Sequence, residues 1–175
     1  MYGTLLDAAG AVTDGSGASA YFFGWMGCAV ALIFTNFGAA YGTAKSGVGL
    51  MSMGVMSPGE VMKNTIPIVM AGILGIYGLI VSIILASKIQ VITKSLKDKD
   101  ITNAMNVGYK VFAAGLCCGL SGLASGFSIG IAGDAGVRAV GQQGRVFVGL
   151  ILIMIFSEAI GLYGFIVALV LGASG

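Results

Sequence analysis

Read from its N-terminus, the chain alternates long apolar runs with short polar or glycine-rich joints. Four runs, Tyr21–Ala44, Ile66–Ser87, Val111–Ala132 and Val146–Leu171, are long enough to cross a bilayer as helices. Such a crossing takes about 20 residues for roughly 30 Å of hydrocarbon. Lipid offers the backbone no hydrogen-bond partners, so each run predicts a helix, and the runs are too long for barrel strands. Pro67 falls near the start of the second run, where a helix tolerates it. The pattern predicts a leader over residues 1–20, a first hairpin over 21–94, a polar loop over 95–106 and a second hairpin over 107–175. The leader carries Asp7 and Asp14 and lacks a basic start, which is not a signal-peptide pattern.

The two hairpins repeat each other. Gly75–Leu85, "GIYGLIVSIIL", matches Gly161–Leu171, "GLYGFIVALVL", with Tyr77 opposite Tyr163 and Gly78 opposite Gly164. Runs one and three align as well, with Gly27, Gly38 and Gly42 set against Gly115, Gly126 and Gly130. Both hairpins begin on the same side, so the repeat is parallel. The expected fold is an all-α membrane protein of four spans, two fused hairpins that oligomerise into a ring. The joints Lys45–Glu60 and Gly133–Arg145 lie on one side, and Ser95–Asn103 with both termini on the other. Charge does not orient the chain. Lys45, Lys63, Arg138 and Arg145 on one side nearly balance Lys88, Lys94, Lys97, Lys99 and Lys110 on the other.

Composition supports lipid as the solvent. Hydrophobic residues make up 57% of the 175 and charged ones only 9%, against roughly 25% charged in a soluble domain. A net charge of +2 is too small to suggest nucleic-acid binding. The chain has no His, the usual metal ligand and general base, and neither a metal nor a cofactor is expected. Cys28, Cys117 and Cys118 fall inside apolar runs without CxxC spacing and read as small packing residues.

Glycine recurs every three or four residues in the third run, at Gly108, Gly115, Gly119, Gly122, Gly126, Gly130 and Gly133. Gly24, Gly27, Ala31, Gly38 and Gly42 form a weaker stripe in the first. Small residues at this spacing let helix backbones approach closely. Packing within one monomer is one reading of the stripe. The inner wall of a ring, with Gly27, Gly38, Gly42, Gly115, Gly119, Gly122, Gly126 and Gly130 as packing positions, is the favoured one. The bulkier second and fourth runs then face lipid.

Between Gly149 and Leu171 the one charged residue is Glu158, near the middle of the fourth run. An ionised carboxylate there costs at least a few kcal/mol. No cation lies at its depth, so the protonated acid is the expected resting form. A carboxyl that is neutral in lipid and ionised beside a polar path is a proton carrier. A hydrogen bond that holds helices together is the alternative. Ser157, Tyr77 and Tyr163 are candidate hydroxyl neighbours. In the repeat, Glu158 falls opposite Gly72, so one hairpin carries the acid and the other lacks it. Asp134 and Arg138, four apart, suggest a helix-surface ion pair. No phosphate-binding loop or catalytic constellation is present, so the chain is not an ATP hydrolase on its own.

These residues resemble a known family. Ala39–Gly49, Ile66–Ser82, Gly122–Arg145 and Ile155–Leu169 are similar, in order, to the proteolipids of vacuolar-type proton-translocating ATPases. The single acid in span four fits the c form, or a sister proteolipid close to it. The resemblance implies a ring of such chains and sister proteolipids, turning against a static membrane subunit with an essential arginine. It implies Glu158 as the proton-binding carboxyl. It also places the two glycine-rich joints in the cytosol against a central stalk, the termini in the lumen, and the assembly in an acidic organelle such as a vacuole. The chain is then one part of a translocase. Some relatives carry sodium, but no Gln or Asn flanks Glu158 in span four, which favours protons. A structural pore or membrane-junction protein would account for the glycines but not for a lone buried acid. A stand-alone secondary transporter would need broken helices and more polar groups at midplane.

Overall fold

The computed structural model describes residues 16–97 and 101–173. Four helices dominate: α1 (Ser16–Met56), α2 (Ile66–Lys97), α3 (Ile101–Gln142) and α4 (Phe147–Ala173). Short 3₁₀ turns at Pro58–Glu60, Lys63–Thr65 and Gly144–Val146 link them. All four are long and apolar enough to cross a membrane. The all-α expectation therefore holds, and the apolar runs lie where the helices are.

The helices extend well past those runs. α1 continues to Met56 and α3 to Gln142, so most of the two glycine-rich joints is helix. Tertiary packing explains this. Leu50 and Met53 of α1 join Val137 and Val140 of α3 in one buried cluster. Gly49 lets Asp134 approach, and Gly141 leaves room for the Met53 side chain. Burial of several apolar side chains outweighs the cost of about 1 kcal/mol per helical glycine. The turns proper are short, over residues 57–65 and 143–146. Part of the expected leader, from Ser16, already belongs to α1, and part of the inter-repeat loop, from Ile101, to α3. Asp7, Asp14 and residues 98–100 lie outside the described residues.

α1 and α3 run parallel and share the most extensive interface, α2 flanks α1 and also packs on α3, α4 flanks α3, α2 and α4 touch sparingly, and α1 and α4 scarcely meet. The glycines create this arrangement. A Cβ on Gly27 would lie 2.5 Å from the Val111 carbonyl oxygen, and one on Gly38 2.5 Å from that of Gly122. Conversely, Cβ atoms on Gly115 and Gly126 would run into the carbonyls of Gly27 and Gly38. Gly42 meets Gly126, Gly119 meets Val30 and Phe34, Gly122 meets Thr35, and Gly130 meets the Tyr41 ring. All eight glycines proposed for a ring wall thus serve the contact between the chain's own α1 and α3. Cys28 and Cys118 are buried and unbridged, consistent with packing.

Contacts within the two hairpins set the register of the repeat. A Cβ on Gly78 would strike the Thr35 side chain and the Ala31 carbonyl. A Cβ on Gly164 would strike the Ser121 side chain and the Cys117 carbonyl. Gly78 and Gly164, Thr35 and Ser121, and Ala31 and Cys117 are all 86 positions apart. The alignment of Gly27 with Gly115, 88 apart, is therefore off by two residues. Glycine recurs so often in α3 that a two-residue slip finds another set of matches. In space Gly27 sits between Val111 and Gly115, and Gly38 between Gly122 and Gly126.

Candidate functional site

α4 buries one stripe: Leu150, Met154, Ser157, Gly161, Gly164, Ala168 and Gly172. The spacing of three and four is that of one helix face. The opposite face presents Leu152, Phe156, Tyr163 and Val170, each more than half exposed. Such a surface suits hydrocarbon and would be a large apolar patch in water. Glu158 follows Ser157 by one residue, about 100° around the helix, and so lies at the flank of the buried stripe. It is half-buried. At 1.5 Å per residue it is about 17 Å from Phe147 and about 22 Å from Ala173. The position is therefore near the middle of α4, a helix long and apolar enough to cross a membrane.

The Tyr77 hydroxyl of α2 donates to Glu158 Oε1 at 3.3 Å. The Tyr77 ring is fixed in turn by a tilted contact with Phe165 of α4, with centroids 5.1 Å apart. Glu158 forms no ion pair among the described residues. Ser157 points inward instead. Its hydroxyl pairs with that of Ser128 at 2.9 Å, and its carbonyl accepts a bond from the Ser125 hydroxyl at 2.7 Å. These bonds tie α4 to α3 directly beside the acid and hold its backbone in place.

Of the three candidate hydroxyls, the structure brings Tyr77 to the carboxyl. It places Ser157 in the α3–α4 seam, and it leaves Tyr163 outward, 65% exposed. Sequence reasoning misses Ser125, Ser128 and Phe165. The two serines belong to the run "SGLASGFS", where serine reads as one more small residue in a glycine stripe. Gly72, opposite Glu158 in the repeat, is exposed, and a Cβ there would meet nothing within 4 Å.

A second polar cluster lies nearer the C-terminal end of α3. Asp134 Oδ1 accepts from Arg138 at 2.8 Å, the expected pair, and Lys45 of α1 adds a bridge to Oδ2 at 3.2 Å. Sequence spacing does not reveal Lys45 as a partner. The contact clamps α1 to α3 beyond their apolar middles. Among the described residues no group of three or more His, Cys, Asp or Glu could hold a metal.

Comparison with known proteins agrees with this geometry. The model of the ATP synthase C-subunit family matches twice, over residues 26–85 and 112–171, two stretches again offset by 86. The V-type proton ATPase 16 kDa proteolipid c-subunit 2 of Caenorhabditis briggsae is 58% identical over 157 residues, covering 90% of this chain and 93% of the relative. The 16 kDa proteolipid c-subunit of the Ascaris suum V-type proton ATPase is 57% identical over the same coverage. The c-subunit of the Candida tropicalis V-type proton ATPase is 55% identical, covering 87% of this chain and 89% of the relative. With two hairpin repeats, four membrane-length helices and these likenesses, the chain is an integral membrane protein that belongs to the ATP synthase C-subunit family, among its V-type proton ATPase proteolipids.

Proposed function

We propose that the chain is a proton-carrying rotor element of a V-type proton ATPase and that Glu158 is the group that carries the proton. The observation behind this reading is a single half-buried carboxyl at mid-membrane, bonded to one phenol and to no cation among the described residues. Facing hydrocarbon, the protonated form is favoured, because a bare carboxylate there costs several kcal/mol. Beside a polar channel and a basic group on a static subunit, the carboxylate is stabilised and the proton leaves. Alternation between these surroundings moves one proton per chain per turn. Tyr77 donates to the oxygen in either state and keeps the side chain in one rotamer while its surroundings change.

Copies of the chain and sister proteolipids form the rotor ring, which turns against a static subunit bearing an arginine and acidifies the lumen of an organelle. The turns at 57–65 and 143–146 face the cytosol and the central stalk, and the termini face the lumen. The local chemistry favours protons over sodium. A metal cation needs several oxygen ligands to replace its water, whereas the Ser128 and Ser157 hydroxyls beside Glu158 are paired with each other.

The test is Glu158→Gln as the sole copy of this protein in vesicles carrying the whole pump. Assembly without acidification is expected. Hydrophobic carbodiimides should label Glu158 in the native protein, and not Glu60 or Asp134. Acidification by the Gln protein would refute the assignment, and protection from labelling by sodium at constant pH would point to a sodium site.

A further inference from the structure

α2 outruns α4. Carried through the 86-residue repeat, Ala173, where α4 ends, falls opposite Ser87, yet α2 continues to Lys97. The contact of Gly172 with Leu85 fixes the same level in space. Residues 88–97 of α2, about 15 Å of helix, therefore lie beyond the end of α4. A cleft opens where α4 stops. Three helices meet at it: Lys88 and Val91 from α2, Val107 and Lys110 from α3, and Leu171 and Gly172 from the last turn of α4. No acidic side chain lines it among the described residues. Its closed part has room for about one water molecule, so a larger ligand lies across the mouth.

Helix length sets the depth of the cleft. α4 has 27 residues, about 40 Å at 1.5 Å each, close to the thickness of a bilayer with its headgroups, about 40–45 Å. The end of α4 thus lies in the headgroup layer, and hydrocarbon begins about 5 Å deeper. Toward the hydrocarbon, Ile83 of α2 and Val170 of α4 are each more than 60% exposed. Two lysines from different helices, set over apolar walls at headgroup depth, suit one class of ligand. We propose that the cleft binds an anionic phospholipid. The lipid phosphate lies across the mouth between Lys88 and Lys110, and the acyl chains follow the exposed apolar surfaces of α2 and α4. Lysine suits this place, because its methylene stem can lie on valine while its charge reaches the headgroup. A zwitterionic lipid carries its own cation and gains less. The bound lipid fills the gap that α4 leaves beside α2, where the two helices touch sparingly. The proposal rests on the membrane-spanning fold and not on the assignment of Glu158 as the proton carrier.

Native mass spectrometry of the purified assembly, stripped of lipid in detergent and titrated with phosphatidylglycerol or phosphatidylcholine, tests it. Lys88→Gln or Lys110→Gln should weaken phosphatidylglycerol binding about fivefold, and both together about 25-fold, with phosphatidylcholine unchanged. Lys88→Arg with Lys110→Arg should bind as the native protein does, and Lys63→Gln, at the opposite end of the fold, should change nothing. Native binding by the double Gln variant would overturn the proposal, and so would equal affinity of the native protein for the two lipids. Displacement by excess inorganic phosphate would overturn it too, since the lysines would then hold a free anion. Thermal melts give a second measurement. Phosphatidylglycerol should raise the melting temperature of the native protein and not that of the double Gln variant. An equal rise in both would show that the lipid binds elsewhere and would overturn the assignment.

Discussion

Replacing Tyr77 with Phe removes one oxygen and leaves the ring in place against Phe165. The lost bond to Glu158 measures 3.3 Å, longer than the usual 2.5–3.0 Å of an O–H···O bond. Values at the low end of their ranges therefore apply: about 0.5 kcal/mol when the carboxyl is neutral and about 1.5 kcal/mol when it is ionised. The ionised form loses about 1 kcal/mol more than the neutral one, a bias of about fivefold toward the acid. Proton release should slow and proton retention should improve. In vesicles with the complete pump, Tyr77→Phe is expected to acidify more slowly. Carbodiimide labelling of Glu158 should persist to higher pH than in the native protein. Tyr163→Phe, whose hydroxyl faces outward, should change neither readout. A Tyr77→Phe protein with native labelling at every pH would refute the argument, because the phenol would then have no bearing on the charge of the acid.

Gly115→Ala drives a methyl onto the Gly27 carbonyl and should cost about 1–3 kcal/mol in thermal or denaturant stability of the solubilised protein. The same change at Gly72 meets open space and should be neutral, or stabilising by up to about 1 kcal/mol through helix propensity. Ser125→Ala removes a buried bond to the Ser157 carbonyl and should lower stability by about 1 kcal/mol, measured by the same melts. Asp134→Asn removes the ionic partner of Lys45 and Arg138; a loss below about 1 kcal/mol that shrinks with added salt is expected. In sealed vesicles, a Ser52→Cys probe should react from the cytosolic side, and reaction from the lumen alone would reverse the proposed orientation.

Helix number, the doubling of the chain and the isolation of Glu158 are all legible in the pattern, because each is a property of sequence distance. Runs of about 20 apolar residues need no partner to be recognised, and neither does a lone charge within one. Contacts between helices are another matter. Tyr77 and Tyr163 stand in matching contexts, so nothing local distinguishes the one that reaches the acid. The difference lies in which neighbour α4 has inside the chain, and that neighbour is α2 on its Tyr77 side. The pairing of Lys45 with Asp134 is hidden for the same reason, since the level of α1 against α3 is not written in either helix alone. The extent of α1 beyond Ala44 is obscured by glycine, whose local preference opposes helix while its missing side chain admits α3.

The two helices that share the largest interface are also the longest, with 41 residues in α1 and 42 in α3. At 1.5 Å each they span about 62 Å, twice the hydrocarbon thickness, so their ends stand clear of the lipid. A single helix protruding this far bends easily under a sideways push. These two are strapped together near that end, by Lys45 and Arg138 on Asp134 and by Met53 seated on Gly141. Two rods bonded along their length resist bending far more than two loose ones. In the proposed rotor, torque applied at the tips is therefore delivered to the membrane-embedded portion, instead of being spent in flexing the stem.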